Sequence, residues 1–200
     1  ERATRESEEK FSKAFYAHAT AMEIVDLDNK KRVDLNKNFL ELTGYTREEL
    51  TQSDIETLNL WKDPKIYQEA LKKLVQFGTV SAFPLEAVTK SGESKHILMN
   101  AAMLDLAGRN WAIESFVDIT EQILAENKMH VSEERYQSLF ENMPIGVYRS
   151  TPEGQILEAN PAFAQMLGYP NVEDLLAVNV LEIFENPDDR ELELSQLKDN

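Results

Sequence analysis

The residue types that catalyse reactions or bind metal ions are scarce in this sequence. It has no cysteine, which excludes thiolate nucleophiles, disulfides, cysteine zinc sites and iron–sulfur clusters. Its three histidines, His18, His96 and His130, offer few nitrogen ligands, and their spacing identifies no Ser–His–Asp arrangement. None of the seven glycines forms a pair spaced for a phosphate-binding loop. We therefore predict no catalytic residue and no metal site in this segment.

The charge balance restricts the partners. Lys and Arg number 21 against 36 Asp and Glu, a net charge of −15. Such a chain lacks the clustered cations that bind nucleic acids, and anionic membrane surfaces repel it. No apolar stretch approaches the roughly 18 residues of a membrane span. We expect no nucleic acid, no direct membrane contact and a cytoplasmic location. The chain begins with Glu rather than Met, so we expect an excerpt of a longer protein, in which a membrane anchor elsewhere stays open.

The spacing of apolar residues predicts an α+β fold. Residues 8–19 have apolar positions three and four apart, which indicates an amphipathic helix with Ser7 as its N-cap. Residues 22–35 are typical of a β-hairpin, and residues 64–77 of a longer helix that begins with a proline and ends before a glycine. Three strands are predicted at residues 79–89, 93–106 and 110–119.

Part of the chain is repeated. The Phe-x-x-x-x-Gly-Tyr pattern of residues 39–45 returns at residues 163–169, and Asn36 and Asn160 precede the two copies at the same distance. The second copy stops before any counterpart of the three strands. The predicted parts are an N-terminal helix at 1–19, a first domain at 20–120, a helical linker at 121–132, and the N-terminal part of a second domain at 133–200.

The order of these motifs resembles the PAS family of sensory domains. The residues that resemble it are Asn36, Phe39, Gly44, Tyr45, a turn at 90–92 and the run Asp118-Ile119-Thr120-Glu121. The resemblance implies a five-stranded antiparallel sheet with small helices on one face, complete in the first copy only. It also implies a sensory and dimerisation role in a prokaryotic signal-transduction protein.

The cofactors of this family are judged by the residues that would bind them. Its flavin and hydroxycinnamoyl photosensors need a reactive cysteine, which this chain lacks. Haem-binding members place a histidine on the long helix, and residues 64–77 contain none. Non-covalent flavin stays open, with Trp61 or Trp111 as the residue that stacks on it. No cofactor is therefore predicted, and an unidentified small organic ligand is the remaining hypothesis.

Such a ligand would lie between the central helices and the sheet, in a mostly apolar pocket with a few polar groups. Asn100 interrupts an apolar strand and shares a face with His96 by the two-residue period of a strand. A pocket filled by the protein's own side chains is the alternative. The candidate pocket residues are Phe39, Trp61, Tyr67, His96, Asn100 and Trp111.

The strand at residues 93–106 is apolar on both faces, so the second face of the sheet should also be covered. The N-terminal helix is the predicted cover, either from its own chain or from a partner. We therefore expect a homodimer. The two copies differ at their predicted hairpins and first small helices, so we expect them not to share a ligand, and we expect any ligand to lie within residues 20–119.

Asp118, Ile119 and Thr120 join the last strand to a following helix. Thr120 is the predicted N-cap of that helix, and Ser132 the N-cap of a separate helix after it. The resemblance implies that Asp118 bonds to a basic residue and that the junction relays sheet movements to an output domain of the same chain. A histidine kinase is the expected output. A diguanylate cyclase or phosphodiesterase, and a ligand-free interaction scaffold, are the alternatives.

Overall fold

The computed structural model describes residues 2–55, 58–106 and 108–183, and the chain forms two compact units, Glu1–Ala125 and Glu126–Asn200. The first unit contains one antiparallel sheet with the spatial order β2-β1-β5-β4-β3. Its strands are β1 (Ala21–Asp26), β2 (Lys31–Leu35), β3 (Thr79–Val88), β4 (Ser94–Leu106) and β5 (Arg109–Asp118). The predicted α+β class and five-stranded antiparallel sheet are confirmed.

Three helices follow one another between β2 and β3, and each begins at a residue that caps it. They are α2 (Lys37–Thr43), α3 (Arg47–Gln52) and α4 (Pro64–Phe77). The side chains of Asn36, Thr46 and Asp63 accept hydrogen bonds from the backbone of the first turns. Gly44 and Gly78 end α2 and α4 in the left-handed conformation that glycine adopts without strain. These caps fix the helices over one face of the sheet.

The core lies between these helices and that face, which we call the inner face. Along β4, Ile97, Met99 and Ala101 are buried against the helices, and Met103 packs beside them. The intervening residues of β4 point to the other side, which we call the outer face. Side chains of the outer face are partly exposed, so only the inner face is fully covered within the described residues.

The N-terminal helix α1 (Arg2–Tyr16) differs from its prediction at both ends. It begins before Ser7, so Ser7 lies within the helix and is not its N-cap. The contacts that fix its C-terminal end are with β2 and with the cap of α2. The hydroxyl of Tyr16 donates to Asp34, and Asn36 Nδ2 donates to the carbonyl of Phe15 at 3.2 Å. The prediction that α1 covers the outer face therefore stays open only for the α1 of a partner chain in a dimer.

One continuous helix, α5 (Thr120–Asn142), follows β5. The predicted helix start at Ser132 is wrong, because Ser132 lies in the middle of α5. No glycine or proline occurs between Thr120 and Asn142, so nothing in that stretch ends the helix, and a serine inside a helix costs little.

The second unit repeats the beginning of the first. Its elements are β6 (Tyr148–Ser150), β7 (Ile156–Ala159), α6 (Pro161–Met166), α7 (Val172–Leu176) and a short 3-10 helix (Val180–Glu182). Asn160 caps α6 as Asn36 caps α2. Between residues 126 and 183 there is no counterpart of β3, β4 and β5.

Candidate functional site

Ionisable side chains are buried on the inner face of the first sheet, under the helices. Glu23 on β1 and Glu114 on β5 are directly opposite each other as cross-strand partners. Arg32 on β2 and Tyr67 on α4 lie beside them. The four residues are 0–2% exposed. Charged residues are rarely buried this completely without a structural or functional reason.

Short polar contacts join these side chains in two pairs, which face each other across β1 and β5. Arg32 Nε donates to Glu23 Oε2 at 2.8 Å, and the Tyr67 hydroxyl donates to Glu114 Oε2 at 3.0 Å. Trp61 stacks on Tyr67 with ring centroids 4.9 Å apart. We call Glu23, Arg32, Trp61, Tyr67 and Glu114 the inner-face cluster.

Further aromatic rings enclose the cluster. Phe116 follows Glu114 on the inner face of β5, and its ring centroid lies 5.4 Å from that of Trp61. On its other side it lies 5.3 Å from the ring of Phe39 on α2. The cluster is therefore a polar group of side chains within an aromatic core.

A β-bulge turns Arg32 inward. Counting back from buried Leu35 by the two-residue period would place Val33 inside and Arg32 outside. The register between β1 and β2 shifts after the pair Ile24–Asp34, and the next pair is Val25–Arg32. Val33 is consequently left unpaired and 43% exposed, and Arg32 is buried. Because a bulge adds one residue to a strand, the side chains beyond it point to the opposite faces from those that the two-residue alternation predicts.

Burial raises the pKa values of both carboxyls in the pair, and neighbouring charges modify them. Loss of hydration raises the pKa of Glu23 and that of Glu114 above their ordinary range. At Glu23 the adjacent Arg32 guanidinium opposes the rise in pKa, whereas at Glu114 the negative charge of Glu23 adds to it. Burial also raises the pKa of Tyr67 well above its ordinary range. Of the two carboxyls, Glu114 therefore has the stronger tendency to hold its proton, and Glu23, beside Arg32, the weaker.

Several polar atoms of the cluster find no hydrogen-bond partner within the described part of the chain. They are Glu23 Oε1, Glu114 Oε1, Arg32 Nη1, Arg32 Nη2 and Trp61 Nε1. Buried polar atoms in proteins are nearly always paired with protein, water or ligand, so each of these needs an explanation.

The six candidate pocket residues do not line one site. Phe39, Trp61 and Tyr67 lie in the core under the helices, at the inner-face cluster. The structure places His96, Asn100 and Trp111 on the outer face. The prediction that they line the same pocket is therefore wrong. The reason is that β4 is apolar on both faces, which leaves its facing undetermined until the neighbouring strands are known.

The outer-face residues have structural contacts. Asn100 Oδ1 accepts a hydrogen bond at 2.9 Å from the backbone N–H of Ala82, which lies in a bulge of β3 with φ 48°. His96 is the cross-strand partner of Glu86, which pairs with Lys62 at the surface. Trp111 pairs with Leu104 near the start of β5. These three side chains therefore support the sheet on the side away from the cluster.

Glu23, Arg32 and Glu114 are not among the site residues predicted from the sequence. A signal was present, because Glu23 and Glu114 each interrupt a strand of apolar residues at a position whose neighbours two residues away are buried. Glu23 is flanked in this way by Ala21 and Val25. Arg32 had no such signal, because its facing depends on the bulge.

The junction after β5 is tied to β4. Asp118 Oδ2 lies 3.2 Å from Lys95 Nζ, and the N–H of Ile119 donates to the carbonyl of His96 at 2.9 Å. Thr120 Oγ1 accepts from the N–H of His96 at 2.9 Å and donates to Asp118 Oδ1 at 2.5 Å. Asp118 thus pairs with a basic residue, as the resemblance implied. The hydroxyl of Thr120, predicted to cap the helix, instead links its start to β4.

The second unit has a different pair of residues in the places of Glu23 and Arg32. The register of β6 and β7 places Tyr148 and Ile156 there, with the same shift in pairing between the strands. Tyr148 stacks on Phe163 with ring centroids 4.5 Å apart, and Ile156 is buried. The same hairpin therefore folds without the buried charges, which means that the fold itself does not require them.

Within the described residues no helix combines the length and the apolar character needed to cross a membrane. In the same part of the chain, no three acidic or histidine side chains are grouped so that they could hold a metal ion.

Comparison with known proteins gives two matches to family models, both described as PAS domain. One model matches residues 19–121 and the other matches residues 134–198. No curated protein sequence matches the chain.

Solved structures share the fold. A PAS domain from Colwellia psychrerythraea is 21% identical with a TM-score of 0.51, covering 57% of this chain and 98% of that one. An RNA-binding light-oxygen-voltage receptor is 16% identical with a TM-score of 0.53. The match covers 64% of this chain and 37% of the receptor chain. A PAS domain from a two-component sensor histidine kinase is 19% identical with a TM-score of 0.47. The match covers 56% of this chain and 98% of that one. For the first two, whose TM-scores exceed 0.5, the likeness at these identities is one of fold alone.

Proposed function

This chain belongs to the PAS domain family, with two PAS sensory domains in tandem, and we propose that it is the input part of a signalling protein whose first domain binds a small molecule. The observation that supports this proposal is the inner-face cluster. It has buried, unpaired polar atoms in the first domain, and the second domain replaces Glu23 and Arg32 with Tyr148 and Ile156. Because the shared fold does not need the charges of Glu23 and Arg32, we attribute their presence in the first domain to ligand binding.

The proposed route of the signal runs from the sheet to α5. Glu114 and Phe116 of the cluster region lie on β5, the strand that leads directly into α5 through Asp118. The bonds of Lys95 and His96 to this junction couple the start of α5 to β4 as well. A ligand that shifts these two strands would change the position of the helix, which is the kind of switching movement that signalling proteins use.

The proposed output is a histidine kinase domain of the same protein, as the family resemblance implies. We also propose a homodimer, with α5 at the interface. Leu124 and Val131 lie seven residues apart on α5 and are 52% and 61% exposed. This spacing is that of apolar positions on helices that pair along their length.

A thermal-shift screen of uncharged and charged metabolites against the full chain tests the proposal. A ligand of the native state at about ten times its Kd should raise the Tm by roughly 3 °C or more. The matched control is the double variant Glu23→Gln/Arg32→Met, which removes both charges together and so leaves neither unpaired. We expect its Tm to be unaffected by a compound that stabilises the unmodified chain. Stabilisation of both proteins to the same extent would contradict binding at the cluster.

A further inference from the structure

A groove in the first domain lies apart from the inner-face cluster, between α4 and the turn that joins β1 to β2. Its volume is about 670 Å³, which is within the range of small-molecule sites in proteins. The apolar part of its lining comes from the turn, from the segment after α3 and from α4. These residues are Leu27, Ile55, Leu71 and Val75. No member of the inner-face cluster is among the described residues that line the groove.

The polar groups around this apolar lining are cationic or neutral. Lys30 lines the groove from the turn and Lys72 from α4, so one lysine stands on each wall. Gln68 and Gln76 lie on either side of Lys72 along the helix. No carboxylate is among the described lining residues, although the whole chain has a net charge of −15. Charge complementarity therefore favours an anionic ligand in this groove.

Two acidic residues next to the lining are paired with other lysines. Asp54 pairs with Lys31 at 2.6 Å, and Glu69 pairs with Lys73 at 3.1 Å. No ion pair joins Lys72 to another residue in the described part of the chain. The ammonium group of Lys72 can therefore pair with a ligand without first breaking an ion pair among these residues.

Hydrogen bonds hold the walls of the groove in place. The N–H of Ile55 donates to the carbonyl of Lys30 at 3.1 Å, which ties the segment after α3 to the turn. Within the turn, Asp26 Oδ1 accepts from the N–H groups of Asp28 and Asn29, both at 3.0 Å. The groove is therefore formed before any ligand binds, as small-molecule sites usually are.

The shape of the groove follows α4. Gln68, Lys72 and Gln76 are spaced four residues apart and so form one stripe along the helix, over a length of about 12 Å. All the apolar residues in the described lining are aliphatic. An aliphatic lining of this length fits an extended acyl chain better than an aromatic ring system.

We propose that this groove binds the anion of a medium-chain fatty acid. The acyl chain lies on the aliphatic lining, and the carboxylate pairs with Lys72 and Lys30 at the surface. Because both lysines are exposed, the carboxylate keeps part of its hydration and the pairing has a small desolvation cost. The site is separate from the inner-face cluster, so binding at either one does not require binding at the other.

Octanoate, octan-1-ol and octylammonium have similar alkyl chains and differ in charge. The readout is the backbone amide signals of Leu27, Leu71 and Val75 in the 15N-labelled full chain. The indole N–H signal of Trp61 is the internal control, because it reports binding at the inner-face cluster. We expect octanoate to shift the groove signals and leave the Trp61 signal in place. We expect octan-1-ol and octylammonium to bind at least about threefold more weakly, the scale of one exposed ion pair.

Two variants test the lining. Lys72→Gln should weaken octanoate binding about threefold and leave octan-1-ol binding unchanged. Lys65→Gln is the matched control, since it makes the same change of charge at an exposed residue of α4 outside the groove, and it should leave both affinities unchanged. Val75 is 60% exposed, so Val75→Glu should preserve the fold while its carboxylate abolishes octanoate binding.

Equal affinity for octanoate, octan-1-ol and octylammonium would overturn the proposal, because the groove would then not select an anion. Unshifted groove signals at millimolar octanoate would also overturn it. Groove signals that shift on concentrating the protein alone would show that a second copy of the chain occupies the groove, and the proposal would be wrong. Octanoate that moves only the Trp61 signal would contradict this site and support binding at the inner-face cluster.

Discussion

The side-chain oxygens of Asn36 and Asn160 accept equivalent hydrogen bonds in the two domains. Asn36 Oδ1 accepts from the N–H groups of Met22 and Phe39, both at 2.9 Å. Asn160 Oδ1 accepts from those of Val147 and Phe163, also at 2.9 Å. Each asparagine therefore caps a helix and also fixes the first strand of its hairpin.

We expect Asn36→Ala to reduce the free energy of unfolding by about 2–4 kcal/mol, because it removes a helix cap and leaves the N–H of Met22 unpaired. Urea unfolding of the first domain measures this. Asn38→Ala is the matched control, since Asn38 lies two residues along and makes one exposed hydrogen bond, to His18. Equal losses in the two variants would contradict the structural role of Asn36.

The sequence predicted the features that depend on residues close together along the chain. The proline that begins the helix at residues 64–77 and the glycine that follows it are local signals, and the structure has the helix at these positions. The facing of Arg32 was missed, because a bulge depends on the register between two strands. The facing of Asn100 was wrong because β4 is apolar on both sides, so only its pairing with β5 identifies the inner face.

The Glu23–Arg32 pair should show strong coupling in a double-mutant cycle. Arg32→Met alone leaves the charge of Glu23 buried and unpaired, so we expect a loss of about 3–5 kcal/mol in the free energy of unfolding. Glu23→Gln/Arg32→Met removes both charges, and we expect it to be at least about 2 kcal/mol more stable than Arg32→Met. Equal stability of the single and the double variant would show that the two side chains do not form a buried pair.

Glu114→Gln should stabilise the chain most at neutral and alkaline pH. The pKa of Glu114 is raised in the folded state from its ordinary value of 4.5, so the folded chain holds a proton that the unfolded chain releases. The stability of the unmodified chain therefore falls as pH rises from this ordinary value towards the raised pKa. Glutamine has no such proton to lose.

Urea midpoints of both proteins between pH 4 and pH 8 measure the difference. We expect Glu114→Gln to exceed the unmodified chain at the upper end of this range and to match it near pH 4, where Glu114 is protonated in both states. A difference that is constant with pH would show that Glu114 is ionised in the folded protein.

Ser132→Ala distinguishes one continuous helix from two. As a helix cap, Ser132 would contribute about 0.5–2 kcal/mol, which alanine would remove. Inside α5 alanine is the better helix former, so we expect an equal or slightly higher Tm. Thr46→Ala, which removes a cap that the structure does show, is the comparison and should lower the Tm.

Thr120→Val should loosen the start of α5. It preserves the shape of the side chain but removes the acceptor for the N–H of His96 and the donor to Asp118. We expect faster amide exchange at His96 and Ile123, and unchanged exchange in the middle of α4. Unchanged exchange at His96 would contradict the link between β4 and the helix.

Hydrogen exchange of the full chain with and without a stabilising compound tests most directly whether the first domain receives the signal and passes it to α5. The compound is one that raises the Tm of the unmodified chain but not that of Glu23→Gln/Arg32→Met. The account predicts slower exchange in α4 and β5, and altered exchange in the first turn of α5. Slower exchange confined to residues 148–176 would place the ligand in the second domain and contradict the account.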